Sequence, residues 1–565
     1  MGLDPALRDA AMRWIADDPD PATRTELQKL LAAAMTGGDA GSTVGSAGSA
    51  SGQTVGSARS ASGQTVGSAR SASGALADAL SGPLRFGTAG LRGPVRAGPS
   101  GMNIAVVRRA TAGLAAWLVA RGARGRTVVV GRDARHGSEA FARETAGVLA
   151  AAGFAVHVLP GAVPTPLLAF AVQQRDAAAG VQITASHNPP QDNGYKVYLG
   201  AGVGDAPGAQ LTTPADAEIE AAIAGAPAAV AIPAHGPTTV DDVTEEYLDR
   251  VAGLGIATAA LRIALTPMHG VGGAIAVHAL ARSGFTDVHV VAEQAAPDPD
   301  FPTVDFPNPE EPGATDLLLA LAGRTGADIA IALDPDADRC ALGVPTPAGW
   351  RMLTGDETGV LLGDHLLRRR SGLVATTVVS SSMLAKVAAA HGAPSAETLT
   401  GFKWIVRAGP GLVYGYEEAL GYCVDPEAVR DKDGIAAAVV AADLAAGLKA
   451  AGRTLLDRLD ELSRAHGVHR TVGISLRMAS VERDAVVARL AGAPPEGWSA
   501  DRPAPYVLRL RHDGLRVVVR PSGTEPKLKA YLEVVEPPTD DLVAARARAD
   551  ERMAALREEI TALIG

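Results

Sequence analysis

The sequence predicts an α/β protein of several domains, closed at its C-terminal end by a smaller α+β domain. Three observations predict this. The chain has 565 residues, 47% of them apolar, which exceeds what one hydrophobic core usually organises. Short apolar runs then alternate with helical-period stretches, the pattern of largely parallel or mixed sheets covered by helices. Beyond "GVHRT" near residue 467 the character shifts to separate strands, "YVLRLRHDGLRVVVRPSG" and "KAYLEVVE", before a closing helix from Leu542.

Taken in order, residues 1–40 have helical spacing (Leu7, Met12, Ile15, then Leu27, Leu30, Leu31) and are expected to form a helical arm. Residues 41–75 differ: "SASGQTVGSAR" occurs at 49–59 and again at 60–70, then restarts as "SASG". Gly, Ser and Ala with almost no large apolar side chain cannot offset ordering entropy by burial, so a disordered insertion is expected. A first domain, 76–230, holds the helical "VVRRATAGLAAWLVARG" and the strands "RTVVVG", "FAVHVLP" and "GVQITAS". A second, 240–350, holds "LRIALTP", "DVHVVAE" and "ADIAIALDP"; a third spans 355–465 and the fourth 468–565. Proline-rich connections near 225–240 and 345–356 mark boundaries.

A formal charge of −10 from scattered acids leaves no basic stripe, which sets aside nucleic acid and anionic membranes as partners. The two cysteines, Cys340 and Cys423, are too few for a disulfide framework. The N-terminal stretch has neither a basic n-region nor an apolar h-region, and even "GIAAAVVAADLAAGLKA" is broken by Asp443. A cytoplasmic protein is expected.

The candidate chemistry sits where strands end, which is where ligands meet open α/β sheets. "DPDADR" places Asp334, Asp336 and Asp338 on alternate positions after an apolar run, and a hard divalent cation would relieve their mutual repulsion. "TASHNPP" sets Ser186 beside His187. Adjacent residues on an extended chain point apart and no GxSxG elbow is present, so a Ser–His hydrolase fits poorly. A phosphoryl group on Ser186 would instead add a hard oxygen ligand to the aspartates. Gly194 permits a tight turn that returns Lys196 toward the serine. Lysine is scarce, eight of 52 basic residues, and Lys196, Lys403, Lys432, Lys527 and Lys529 fall in or beside polar Gly-rich loops, where a deprotonatable or compact cation has uses that arginine lacks. "RPSGTEPKLK" offers Arg520, Ser522, Gly523, Thr524 and Lys527 as parts of a phosphate cradle. "GYEEALGY" pairs Glu417 with Glu418, and "FGTAGLRG" carries Arg92. Arg132, Asp133 and Arg135 form one more polar loop, which by itself says little.

Together these stretches resemble the α-D-phosphohexomutase superfamily over about residues 84–535, in the same order. "FGTAGLRG", "TGFKWI" and "DKDG" are similar to its phosphoglucomutase-2-like branch. The resemblance implies four domains around a central cleft, three of related α/β topology with mixed sheets and a fourth α+β. It implies phosphoserine at Ser186 and Mg²⁺ on Asp334, Asp336, Asp338 and that serine. His187, Lys196, Arg92 and Arg339 would surround the transferred phosphoryl group. Glu417, Glu418 and Lys403 would bind the sugar, and Arg520, Ser522, Gly523, Thr524 and Lys527 the phosphate not being transferred. The activity implied is reversible interconversion of hexose 1-phosphate and hexose 6-phosphate, on glucose or mannose, through a hexose 1,6-bisphosphate that is both intermediate and activator. Lys196 would serve as general acid or base with its pKa lowered by nearby cations. Many relatives carry Ser after the sugar-loop glutamate, where this chain has Ala419, so hexose choice stays open. A phosphopentomutase of the same branch and a metal-dependent sugar phosphatase are the alternatives. Oligomeric state is unknown from the sequence.

Overall fold

The computed structural model describes residues 3–37, 71–87, 90–256, 259–521 and 527–564. The two full repeats, and Ser522, Gly523 and Thr524, lie outside the described residues.

Sheet order shows how three domains share one plan. The first contains β1 (Leu91–Pro94), β2 (Thr127–Arg132), β3 (Ala155–Val158), β4 (Ala179–Ile183), β5 (Asp192–Leu199), β6 (Ala209–Gln210) and β7 (Thr238–Val240). Its order is β1-β5-β4-β2-β3-β7, with β6 on β5. β2 is parallel to β3 and β4, and β5 returns antiparallel to β4. The second contains β8 (Arg262–Thr266), β9 (Asp287–Val290), β10 (Ile329–Leu333), β11 (Cys340–Thr346) and β12 (Gly349–Met352), in the order β12-β11-β10-β8-β9. The third contains β13 (Leu373–Thr377), β14 (Ser395–Thr398), β15 (Leu412–Glu417) and β16 (Gly421–Cys423), in the order β14-β13-β15-β16.

In each, one strand lies between two parallel neighbours, and an antiparallel strand hairpins back from the later of them. Strands in the middle of these sheets read as unbroken apolar runs because both faces are covered: every residue of β4 and β10 is buried. The plan places one hairpin loop at the carboxyl end of β4, one at that of β10 and one at that of β15.

The fourth domain is a fully antiparallel sheet in the order β17-β21-β20-β19-β18, built from β17 (Val468–Arg477), β18 (Ser499–Ala504), β19 (Val507–His512), β20 (Leu515–Pro521) and β21 (Lys527–Glu536). Helix Leu542–Ile564 lays Leu542, Ala545, Ala549, Met553, Leu556, Ile560 and Ile564 on its sheet, a spacing of three and four residues that makes one apolar stripe.

The N-terminal arm is two helices, Pro5–Asp17 and Pro21–Thr36, each capped by an aspartate with proline in the first turn. Met12, counted in the apolar spacing, is 57% exposed. Asp17 docks the arm by accepting from Arg109 and from the Ala229 amide. The restarted "SASG", expected within the disordered insertion, instead opens helix Ala72–Ala79: Ser71 caps it through the Gly74 amide, and Ala72 and Leu76 bury against the arm. Leu76 supplies the burial that the repeat itself lacks.

Among the described residues no single helix is long and apolar enough to cross a membrane. The most apolar, Gly434–Ala450, is a core helix buried nearly all round. Its Asp443 accepts from His365, Arg369 and the Ile256 amide, which satisfies the buried carboxylate.

Candidate active site

The loop after β4 and the loop after β10 meet face to face. Ser186 is 2% exposed, and its Oγ donates to Asp334 Oδ2 at 2.9 Å, across the boundary between the first and second domains. The same Oγ lies 3.1 Å from His187 Nδ1. Adjacent residues on an extended chain would diverge; these converge because Ser186 has φ 55°, a left-handed turn and not an extended strand. Its amide is fixed by Thr184 Oγ1 at 2.8 Å. Burial, with Arg339 and Arg92 close by, holds the His187 imidazole well below the usual histidine range, so the ring is neutral at pH 7.

Asp334, Asp336 and Asp338 are buried, and one carboxylate oxygen from each lies within 4.8 Å of the others. Asp336 Oδ1 and Asp338 Oδ1 are sealed from solvent without a hydrogen-bond donor. Hard oxygen donors, buried and unsatisfied, fit a hard divalent cation. Burial and the two neighbouring carboxylates push the Asp334 carboxyl well up. Burial also opposes ionisation of Asp338, yet Lys196 and Lys432 hold it well below the carboxylate range.

Lys196 Nζ donates to Asp336 Oδ2 at 2.6 Å and to Asp338 Oδ2 at 2.8 Å. The expectation of a lowered lysine pKa is corrected here. Burial alone would lower it, but the two carboxylates outweigh both burial and the neighbouring cations, and the ammonium sits above its ordinary range. The route that returns Lys196 to the serine is also corrected. It is the β4–β5 hairpin, with Lys196 paired to Gln182, and Gly194 lies inside β5 and not in a turn. A Cβ at Gly194 would come within 2.5 Å of Thr184 O and 2.7 Å of Leu91 O, so glycine is required by the close approach of two neighbouring strands. Gly194→Ala should therefore lower stability by about 1–3 kcal/mol, read as a fall in the urea midpoint.

Lys432, from the loop before the core helix Gly434–Ala450, reaches Asp338 Oδ2 at 3.2 Å, so the third domain also touches the aspartates. Arg339 pairs with Glu310 at 3.3 Å, and Arg92 donates to Asn188 Oδ1 in the serine loop at 2.9 Å. Arg92 Nε and Arg339 Nε are buried without an acceptor. Glu417 ends β15, and burial raises its carboxyl to about 7 although Lys432 and Arg339 pull the other way. Its neighbour turns aside: the Glu418 carboxylate accepts from Thr377 and Ser380. Lys403 lies on helix Phe402–Ile405, its ammonium lowered by burial. Arg520, at the end of β20, donates to the Tyr531 hydroxyl at 3.0 Å and stacks on that ring, and Lys527 opens β21. A cleft of about 600 Å³, lined by Glu310, Glu418, Ala419, Lys529 and Tyr531, joins the second, third and fourth domains.

The chain matches four family models in succession, described as phosphoglucomutase/phosphomannomutase α/β/α domain I (residues 83–228), domain II (245–347), domain III (354–465) and the C-terminal domain (481–560). The chain belongs to the phosphoglucomutase/phosphomannomutase family. It is a phosphomutase, an isomerase of the phosphotransferase kind. A Haemophilus influenzae protein named "probable phosphomannomutase" is 42% identical over 454 residues, covering 76% of this chain and 93% of the relative. The Saccharomyces cerevisiae phosphoribomutase is 37% identical over 391 residues, covering 60% of this chain and 61% of the relative. The crystal structure of a phosphoglucomutase/phosphomannomutase family protein from Burkholderia thailandensis superposes with a TM-score of 0.67 at 21% identity, covering 84% of this chain and 97% of that one, which shows the shared fold. The four-domain resemblance drawn from the loops is thus borne out.

Sequence reasoning missed two contributors to this mutase site. Thr165 Oγ1 donates to Asp336 Oδ2 at 2.5 Å and its amide to Asp336 O at 2.9 Å, tying the first domain to the aspartate loop. Its only signal is position, at the start of helix Thr165–Gln174 beyond the carboxyl end of β3. Arg135 reads in the sequence as one residue of a polar loop, although its guanidinium is spent on the serine loop.

Proposed function

We propose that the enzyme interconverts hexose 1-phosphate and hexose 6-phosphate through a phosphorylated Ser186 and a hexose 1,6-bisphosphate, with Mg²⁺ as its metal. The observation that carries this reading is the serine hydroxyl of one domain held 2.9 Å from the buried aspartate trio of the next. Asp334, Asp336 and Asp338, together with the phosphorylated serine, would hold the Mg²⁺, which supplies a Lewis acid for charge on the phosphoryl oxygens. Arg339 and Arg92, with guanidinium N–H groups lacking acceptors, are available to phosphoryl oxygens. Lys196 keeps a proton at Nζ that can be given to the serine oxygen as its bond to phosphorus breaks, and the resulting amine can take the proton that the attacking sugar hydroxyl loses as the new O–P bond forms. Neutral His187 lies against Ser186 Oγ without adding a second cation there.

Glu417, ending β15 in the third domain, reads the sugar hydroxyls as an acceptor, and Lys403 and Glu418 belong to the same sugar-facing domain. Arg520, Ser522, Gly523, Thr524 and Lys527 hold the phosphate that is not moving. A remote cradle favours a mutase over a phosphatase, since hydrolysis needs no grip on a second phosphate. Two buried free thiols support a reducing, cytoplasmic setting.

The test is conversion of glucose 1-phosphate to glucose 6-phosphate with Mg²⁺ and trace glucose 1,6-bisphosphate; release of free phosphate without isomerisation would point to the phosphatase instead. The yeast phosphoribomutase relative favours a second reading, a pentose substrate. Parallel kcat/KM values on glucose, mannose and ribose 1-phosphates decide between them.

A pH prediction follows from Glu417. Its carboxyl is raised to about 7, so the acceptor form is lost below that pH and gained above it. In the free enzyme kcat/KM should climb as pH rises through about 7. Glu417→Gln should flatten that limb and lower kcat/KM by about 10- to 100-fold, the worth of hydrogen bonds to a charged group.

A further inference from the structure

Arg135 takes no part in the chemistry assigned above, yet its guanidinium makes four hydrogen bonds to the serine loop. It follows β2 and is 4% exposed. Nη2 donates to Ser186 O at 2.7 Å and Asn188 O at 2.5 Å; Nη1 donates to Pro189 O at 2.8 Å and Asp192 O at 3.1 Å. Four carbonyls spanning residues 186–192 therefore converge on one planar fork. Asp133 locks the fork from behind: its Oδ1 accepts from the Arg135 amide at 3.0 Å and from Ser138 Oγ at 2.6 Å, and its Oδ2 lies 3.5 Å from Arg135 Nε. Phe301 of the second domain covers the guanidinium, ring centroid 4.9 Å from Cζ.

Carbonyl oxygens repel one another when they converge, and a non-glycine residue at φ 55° returns to extended backbone unless its surroundings over-determine it. Both conditions hold at Ser186. With the fork removed, the buried Ser186 carbonyl and the half-buried carbonyls of Asn188 and Asp192 would lose this donor, Pro189 O would be left with the Asp192 amide, and the serine would swing off the line to Asp334.

We propose that Arg135 is a positioning residue for phosphoryl transfer, setting the left-handed backbone that aims Ser186 Oγ at the aspartate trio, with Phe301 as its cap. This rests on the reading of Ser186 as the phosphoryl carrier. Lysine cannot replace it, since a single ammonium has three donors and no planar fork. A displacement of about 1 Å at a reacting atom costs about 100-fold in rate while leaving remote binding groups untouched.

The experiment uses full-length, dephosphorylated enzyme with Mg²⁺ and glucose 1,6-bisphosphate, and follows phosphate gained on Ser186 by intact-mass and peptide mass spectrometry. Arg135→Lys should slow phosphorylation about 100-fold, lower steady-state kcat in parallel, and keep KM for glucose 1-phosphate within about twofold of wild type. Phe301→Leu, which keeps the four carbonyl bonds, should slow it several-fold with the same unchanged KM; it carries the test alone if Arg135→Lys does not fold. Phosphorylation at the wild-type rate in the folded variant, or a loss appearing in KM and not in kcat, overturns the proposal. Wild-type enzyme that never gains phosphate on Ser186 overturns instead the underlying reading of the serine.

Discussion

Ser186→Ala is expected to reduce kcat for hexose phosphate isomerisation by at least about 10⁴-fold, with KM for the sugar phosphate changed little. The serine oxygen is the only atom that the proposed cycle uses covalently, so its removal leaves binding intact and chemistry without a carrier. The alanine variant should remain folded, because Oγ contributes just two hydrogen bonds, to Asp334 and His187. Coupled assay of glucose 6-phosphate formation, alongside thermal melting of the same sample, separates lost chemistry from lost structure. Activity within about 100-fold of wild type would remove Ser186 from its assigned role.

Removing divalent metal should have the next largest effect, a loss of about 10³-fold or more on dialysis against EDTA, restored by Mg²⁺. The structure indicates why the loss should be reversible. Lys196 spans Asp336 and Asp338, and Lys432 reaches Asp338 from the third domain, so the protein itself supplies counter-charges to the trio. The melting midpoint should accordingly shift only modestly on chelation. Asp336→Asn should resemble EDTA treatment without rescue by Mg²⁺. Full activity in chelator would exclude a catalytic metal at this site.

Much of this was legible in the sequence because each catalytic loop follows an apolar strand and carries polar residues at close spacing. "ADIAIALDPDADR" announces both the strand and the three aspartates, and "TASHNPP" the serine after β4. What escaped reading depends on long-range geometry. That Ser186 turns left-handed is imposed by Arg135 reaching back from 51 residues earlier, and no local pattern encodes it. The protonation of Lys196 follows from carboxylates 140 and 142 residues away, which only the meeting of two domains brings within 3 Å. Gly194 looks like a turn because glycine usually marks one; here it marks two backbones too close for a Cβ.

The strand plan common to the first three domains puts three hairpin corners to three different uses. On the function proposed above, the nucleophile Ser186 lies beyond β4, the cation-binding carboxylates beyond β10, and the sugar-facing Glu417 at the end of β15. Because those corners are separate hairpins on separate cores, selection can rewrite the one that chooses the sugar while leaving the phosphoryl machinery alone. Substrate preference can drift in such an architecture without any change of reaction, and a segment as short as Glu417 to Leu420 gives that drift a place to act.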